Sequence, residues 1–283
     1  MSSNTSSVLN IAIRAARRAG KMMTRASNQI DNIVIDKKQV RDFVSEIDRN
    51  SEHILVEAIL NAYPNHLVRS EEGGYYKAVK NGDEINIQTI DKHSKKPEFE
   101  WIIDPLDGTT NYLHGHPQYA ISMALLVKGV LSEALVFAPE RNDLYVASKG
   151  SGATFNDKRL RISKRLNPNE FLIGTGFPVV EQSMIDEYLA ILKQVLADTT
   201  GARREGSAAL DLCNVAAGRF DGFFEYNLKP WDIAAGALIV QEAGGLVTDF
   251  DGENNWLNTG NIVAGNEKAI AYLLRTINKY RNK

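Results

Sequence analysis

Asp104 and Asp107 sit three positions apart at the end of the apolar run Trp101-Ile102-Ile103, and Gly108-Thr109-Thr110-Asn111 follows them. A strand that runs out of hydrophobic residues into aspartates and a Gly-Thr-Thr-Asn turn delivers oxygen ligands to an open sheet edge. The same turn places backbone N–H groups beside those oxygens, where a helix can start. Hard divalent cations and phosphate both take that arrangement. An Asx-type turn capping a short helix accounts for one aspartate. Two, wedged around Pro105 and Leu106, exceed what a cap needs.

Further carboxylates stand at element ends: Asp42 and Asp48 in RDFVSEID, Glu71 and Glu72 in VRSEEGG, and Asp232 in LKPWDIAAG. Each alone reads as readily as a solvated turn or a helix N-cap. Together they outline a two-metal phosphoryl site. Hydrolysing a phosphate monoester near neutral pH requires a neutralised dianion, a deprotonated water and a stabilised leaving alkoxide. Closely spaced divalent ions held by carboxylates do all three. Mg²⁺ is the expected metal, because every candidate ligand is a hard oxygen and the set holds no His or Cys. His114 and His116, close by, read as packing or hydrogen-bonding residues rather than ligands.

Several elements must position these groups. Apolar residues at helical spacing (Leu9, Ala12, Ile13, Ala16, Ala19, Met23) predict a helix over residues 8–26, and Ile54, Leu55, Ala58 and Ile59 predict a second over 50–62. Residues 30–35 and 43–47 read as extended. Consecutive strands are expected at 99–103, 119–128, 131–138 and 144–148, with Lys128-Gly129 as a tight hairpin. Helices at 181–196, 207–217, 232–243 and 267–279 then interleave with short strands at 222–226, 246–249 and 262–264. No linker or repeat divides the chain, so the pattern predicts layered α+β architecture in one unit over residues 1–283. The polar stretch 75–100 is expected as a surface hairpin or mobile loop beside the site.

Composition narrows the function classes. The 283 residues carry a net charge of −2, with 43% hydrophobic and 24% charged residues, which is ordinary for a soluble globular protein. Such a balance offers no electrostatic footprint for nucleic acid or an anionic membrane. Arg14, Arg17, Arg18 and Lys21 read as a solvated helix face. The single cysteine, Cys213, rules out an intrachain disulfide and leaves a thiolate zinc site short of ligands. It reads as a small buried apolar residue. MSSNTSSVLN lacks the layout of a signal peptide, and the longest apolar run, residues 119–127, is too short to span a bilayer. A soluble, cytoplasmic protein is expected.

WIIDPLDGTTNYLHG resembles the signature of the inositol monophosphatase family, and PWDIAAGALIVQEAGG resembles that family's second signature. The similarity extends through DFVSEIDRNSEHILVEAIL, SEEGG and REGSAALDLCNVAAGRFDGFFE, covering most of the chain, and is closest to the bacterial inositol-1-monophosphatases. The resemblance implies a layered αβαβα sandwich of the α+β class, shared with fructose-1,6-bisphosphatase, and two or three Mg²⁺ ions per site. By position, Glu71, Asp104 and the backbone carbonyl of Leu106 would hold the first metal. Asp104 would bridge to a second held by Asp107 and Asp232, and a third ion would lie near Glu71 among waters. Thr109 with Asp48 would orient and deprotonate the attacking water, with Glu72 supporting that shell. The amides of Gly108, Thr109 and Thr110 would bind phosphate oxygens, and Lys37 matches a basic position facing the site. For the polyol, the resemblance points to Gly206, Ser207, Ala208 and Glu225.

The implied reaction is hydrolysis of a small polyol phosphate, inositol 1-phosphate before others, by a lithium-sensitive homodimer. A 3′(2′),5′-bisphosphate nucleotidase or a fructose-1,6-bisphosphatase remains the alternative within the superfamily. DGTTNY, where nucleotidases of this fold tend toward DGTKEF, favours the compact polyol. From another class, a binding role in an RNA or transcription complex stays open, and Arg203 and Arg204 are candidates for a protein interface.

Overall fold

The computed structural model describes residues 6–30, 37–82, 84–91, 97–177 and 184–281; the side chains of 28–30 and 37–45 lie outside the description. Two helices come first, α1 (Ser7–Ile30) and α2 (Lys37–Ala62), then strands β1 (Leu67–Ser70), β2 (Gly74–Asn81), β3 (Glu84–Ile90) and β4 (Phe99–Asp107). After the one-turn helix α3 (Thr109–Leu113) come β5 (Ala120–Val127), β6 (Val130–Ala138), β7 (Asp143–Ser148), β8 (Gly152–Phe155), β9 (Lys158–Arg159) and β10 (Leu172–Thr175). The remainder alternates: α4 (Ile185–Asp198), β11 (Gly201–Arg203), α5 (Ala208–Ala216), β12 (Gly222–Glu225), α6 (Pro230–Glu242), β13 (Leu246–Thr248), α7 (Trp256–Thr259), β14 (Ile262–Gly265) and α8 (Glu267–Tyr280).

Two sheets result, with strand orders β3-β2-β1-β4-β5-β6-β7-β8-β9 and β11-β10-β12-β14-β13. In the larger, β1 runs parallel to β4 and every other pairing is antiparallel. The period-2 alternation of side chains sorts each strand between two cores. From β4 and β5, Trp101, Ile103, Ile121 and Met123 pack under α1 and α2. Ile102, Ala120, Ala124 and Leu126 face the opposite way, onto α5 and α6. On β12, Phe223 joins that second core, whereas Phe224 packs with Ile173, Leu273 and Ile277 under α4 and α8. The layers therefore run α1/α2, large sheet, α5/α6, small sheet, α4/α8. That is the αβαβα sandwich the family resemblance implies.

The outer helices are amphipathic and the middle ones are not, because only the outer ones meet solvent. On α1, Leu9, Ala12, Ala16, Ala19 and Met23 are buried while Arg14, Arg17, Arg18 and Lys21 are exposed. Every residue of α5 is buried, as is every residue of α6 from Ile233 to Val240. Gly236 is where these two approach: a Cβ there would lie 2.6 Å from Leu212 Cβ.

Residues 43–47 are helical rather than extended, as part of α2. The inward face of α2 carries Asp48, Ser51 and Glu52, all buried, one turn before Leu55, Val56 and Ile59. Polar residues on the buried face interrupt the hydrophobic period, which hides the helix from a reading of apolar spacing. The polar stretch after Gly74 is a hairpin, β2 paired with β3, at one edge of the large sheet. Most of the expected 30–35 extended segment and residues 181–183 of the helix expected at 181–196 lie outside the described residues.

Candidate active site

In a regular strand, residues three apart face opposite sides of the sheet. Asp104 and Asp107 escape that rule through a bulge. Asp104 pairs with Ser122 and Asp107 with Ala120, so β4 spends three steps where β5 spends two. Proline, having no N–H to donate, is at home in such an interruption. Leu106 N donates to Asp104 Oδ1 at 2.9 Å, and Thr109 Oγ1 donates to the Leu106 carbonyl at 3.1 Å. The Asx-type bond and the re-aimed carboxylates thus coexist. Gly108 (φ +92°) then starts α3 in the left-handed region, and a Cβ there would meet Gln118 O at 2.8 Å.

Two other elements are fastened to this bulge. From α2, Ser51 Oγ donates to the Pro105 carbonyl at 2.9 Å. One residue on, the Glu52 carboxylate accepts from the amides of Glu72 and Gly73, both at 3.2 Å, and from the Tyr76 hydroxyl. Glu52 therefore fixes the turn that presents Glu71 and Glu72. From the other side, Ser122 Oγ donates to the Trp231 carbonyl at 3.1 Å, seating the start of α6. Asp232, at the third position of that helix, accepts from Lys229 N at 2.6 Å.

The loop before α5 closes the site. Ser207 Oγ and Ala209 N both donate to Asp107 Oδ2, at 2.6 and 2.8 Å. Asn111 Nδ2 donates to the carbonyls of Gln118 and Glu205, at 2.7 and 2.8 Å. The Glu205 carboxylate in turn accepts from Gln118 Nε2 and Asn214 Nδ2. Ser51, Glu52, Asn111, Gln118 and Glu205 are the site-building residues that sequence reasoning missed. For the α2 pair, polar residues at i, i+3 and i+4 from Asp48 were the available signal.

Two cavities open here. One of about 250 Å³ is lined by Glu71, Asp104, Leu106, Asp107, Gly108, Thr109, Thr110 and Asp232, with Arg204 and Gly206. The second, about 160 Å³, is lined by Asp107, Gly206, Ser207, Ala208, Glu225 and Asp232, with Thr175, Gly176, Arg204, Asp211 and Leu228. Four shared residues make them two lobes of one cleft. Asp48 and Glu72 line neither lobe; Asp48 is buried behind Glu71 and Glu72, close enough for their charges to act on it. The Lys37 and Asp42 side chains lie outside the described residues, and His114 and His116 are exposed. Cys213 is fully buried in the middle core, as its sequence context predicts. A larger cleft of about 800 Å³, walled by Leu126, Leu131 and Trp256, lacks a comparable set of buried carboxylates. Chemistry, not size, therefore locates the site.

Burial first, then mutual repulsion, pushes these acids upward. Glu71 rises to about 7, eased by a hydrogen bond with Asp104. Asp104, fully buried, is held well above the usual carboxylate range, with Glu71, Asp107 and Asp232 adding to the effect. Asp232 rises to about 7 and Asp107 to about 6, the latter restrained by its Ser207 and amide donors. Asp48 reaches about 8 through burial and the charges of Glu72, Glu71 and Glu52. Among the described residues, none of these acids is ion-paired with a Lys or Arg.

The residues suit a hard divalent cation. All donors are oxygens, the carboxylates raise one another's pKa, and Asp48 Oδ1 is buried without a hydrogen-bond partner. Among the described residues no three such side chains are already drawn into a finished coordination cluster. They line the walls of a cavity, and ligation requires them to close on its contents. No helix among the described residues is long and apolar enough to cross a membrane.

Comparison with known proteins identifies relatives of the whole chain and of its fold. A protein named putative Nus factor SuhB from Neisseria meningitidis serogroup B is 62% identical over 273 residues, 96% of this chain and 98% of the relative. The crystal structure of the extragenic suppressor protein suhB from Bartonella henselae matches with a TM-score of 0.80 at 39% identity, covering 96% of this chain and all of that one. The structure of an inositol monophosphatase from Anabaena matches at 0.79 and 32% identity, over 96% of this chain and 95% of that one. The sequence profile of the inositol monophosphatase family spans residues 4–282, and the chain belongs to that family.

Proposed function

We propose that the chain hydrolyses a small polyol phosphate, inositol 1-phosphate first among them, in a Mg²⁺-dependent reaction. The observation that carries this reading is the convergence of Glu71, Asp104, Asp107 and Asp232 on one cavity, with the start of α3 in its wall. Glu71, Asp104, the Leu106 carbonyl, Asp107 and Asp232 would hold two or three Mg²⁺ ions. When bound, the metal neutralises the phosphate dianion and acidifies a water. The same reading takes residues 1–283 as one catalytic domain, and the family resemblance adds a lithium-sensitive, cytoplasmic homodimer.

The chain's own residues divide the remaining work. The first amides of a helix have no intrahelical partner, so the N–H groups of Gly108, Thr109 and Thr110 hold the phosphate oxygens. Thr109 Oγ1 spends its proton on the Leu106 carbonyl, leaving its lone pairs to accept from the attacking water. Asp48, whose Oδ1 is buried without a hydrogen-bond partner, takes the proton onward in its ionised form, supported by Glu72. Gly206, Ser207 and Ala208 bring backbone close to the alcohol, whose hydroxyls meet Glu225. By family resemblance, Lys37, whose side chain lies outside the described residues, would supply positive charge to the phosphate.

The alcohol lobe supports a compact substrate. Its volume is about 160 Å³. That suits one polyol ring better than a nucleoside. Phosphate release from inositol 1-phosphate, fructose 1,6-bisphosphate and 3′-phosphoadenosine 5′-phosphate, with and without Mg²⁺, tests the proposal. Release should be fastest from inositol 1-phosphate and confined to the Mg²⁺ samples. A preference for either bisphosphate would move the assignment to that rival, and release from none would end it.

A second reading, a binding role in an RNA or transcription complex, is favoured by the Nus factor name of the Neisseria relative. A net charge of −2 favours a protein contact over a nucleic-acid one.

A further inference from the structure

Asp211 belongs to the first turn of α5, four residues after the Ser207 cap, and it is only 1% exposed. Its Oδ1 is buried and has no hydrogen-bond partner. Buried acceptors without partners are costly and rare, so an orphan in a cavity wall points to something that enters the cavity. Asp211 lines the alcohol lobe beside Glu225 and Arg204, and it does not line the phosphate lobe. Two neighbouring polar side chains are otherwise engaged. Thr175 Oγ1 is bonded to the Gly176 carbonyl and the Tyr188 hydroxyl, and the Glu205 carboxylate is held by Gln118 and Asn214. Gly176 keeps the lobe open around Glu225, since a Cβ there would fall 1.8 Å from Glu225 Oε1.

We propose that Asp211 is a specificity-determining residue that hydrogen-bonds a substrate hydroxyl remote from the phosphate ester. This rests on the phosphatase reading above and names its substrate class: phosphomonoesters of alcohols with several hydroxyls, at least one reaching the floor of the lobe. Hydroxyls donate and accept, so they satisfy a carboxyl in either protonation state. Burial, with Glu205, Glu225 and Asp107 nearby, pushes Asp211 well up toward its protonated form, which also lets it donate. An alcohol lacking that hydroxyl leaves Asp211 orphaned, and a site built to bond a hydroxyl discriminates against such analogues.

The test compares wild type with Asp211→Leu and Asp211→Asn on inositol 1-phosphate and on 4-nitrophenyl phosphate, whose alcohol has no further hydroxyl. The ratio of kcat/KM for the two substrates should fall about tenfold or more in Asp211→Leu, the scale of one hydrogen bond. The loss should sit in KM for inositol 1-phosphate, and Asp211→Asn should recover part of it. The melting temperature of Asp211→Leu should not drop, because an orphaned acceptor has been removed. An unchanged ratio, or an equal loss on both substrates with a lower melting temperature, would overturn the inference in favour of a structural role. Should wild type release phosphate from neither substrate, the phosphatase reading fails separately. Calorimetric binding of inositol 1-phosphate then decides, with about tenfold weaker binding to Asp211→Leu supporting the role and equal binding refuting it.

Discussion

Ser207 donates its hydroxyl to Asp107 Oδ2 at 2.6 Å, across 100 residues of sequence, while also accepting from Leu210 N at 3.4 Å as the N-cap of α5. One side chain thus orients a proposed metal ligand and starts the helix that walls the alcohol lobe. The phosphate and alcohol halves of the cleft are set relative to one another by this bond and by Asn111, which bridges Gln118 and Glu205.

Replacing Ser207 by Ala should disturb both halves. Loss of the cap costs about 1 kcal/mol of stability. The bond to Asp107 is worth more while Asp107 is charged, roughly 1.5–3 kcal/mol. A lower melting temperature and a several-fold higher Mg²⁺ requirement for phosphate release should appear together, as seen in thermal melts and Mg²⁺ titrations of activity.

Asp107→Asn should abolish hydrolysis, by roughly a thousandfold or more, because a neutral amide holds Mg²⁺ poorly. Binding to a protein partner should survive in the same variant. Phosphate release and a pull-down on one preparation separate the enzymatic reading from the binding one. Retained turnover would refute the assignment of Asp107.

Metal and pH should be linked through stability. Asp48, Glu71, Asp232 and Asp107 have folded-state pKa values raised to about 8, 7, 7 and 6. The native state therefore keeps protons that an unfolded chain releases near pH 4. Stability from these groups is full below that pH and is lost as pH rises through 6 to 8. The melting temperature of metal-free protein should fall between pH 5.5 and 8.5, and Mg²⁺ should restore more of it at the upper end. Melts in chelator and in excess Mg²⁺ check this; a Mg²⁺ effect independent of pH would contradict it.

Glu52 touches neither lobe, yet its variant should act on the site. Glu52→Gln weakens the bonds to the amides of Glu72 and Gly73 and to the Tyr76 hydroxyl. Outer supports of this kind are worth about 10–100-fold in metal affinity or activity. Mg²⁺ titrations should show that loss, with a milder one for Tyr76→Phe, which leaves the two amides bonded.

The layered fold was legible because the strands and outer helices carry clean hydrophobic periods. Asp104 and Asp107 were legible because they follow an apolar run at a helix start, and Asp232 because it opens the apolar run of a helix. Asp48 was singled out as a carboxylate at an element end, with its role in water activation given by resemblance, but it was placed after an extended segment because polar residues on the inner face of α2 broke that helix's period. Glu52, Gln118 and Glu205 escaped notice because Glu52 reaches Glu72 across 20 residues and Gln118 reaches Glu205 across 87, bonded through chain reversals that no local pattern announces. Asp211 offered one signal: a single acid inside SAALDLCNVA, an otherwise apolar helix. The bulge at Pro105, which turns an odd spacing into a shared cavity, became visible only in the pairing of β4 with β5.

Anomalous diffraction from crystals soaked in Mn²⁺, a Mg²⁺ substitute with its own scattering signal, tests the central claim most directly. At least two peaks should appear among Glu71, Asp104, Asp107 and Asp232, with those carboxylates drawn inward onto them. Crystals with no peak in that cavity, and the four side chains left apart against its walls, would contradict the account.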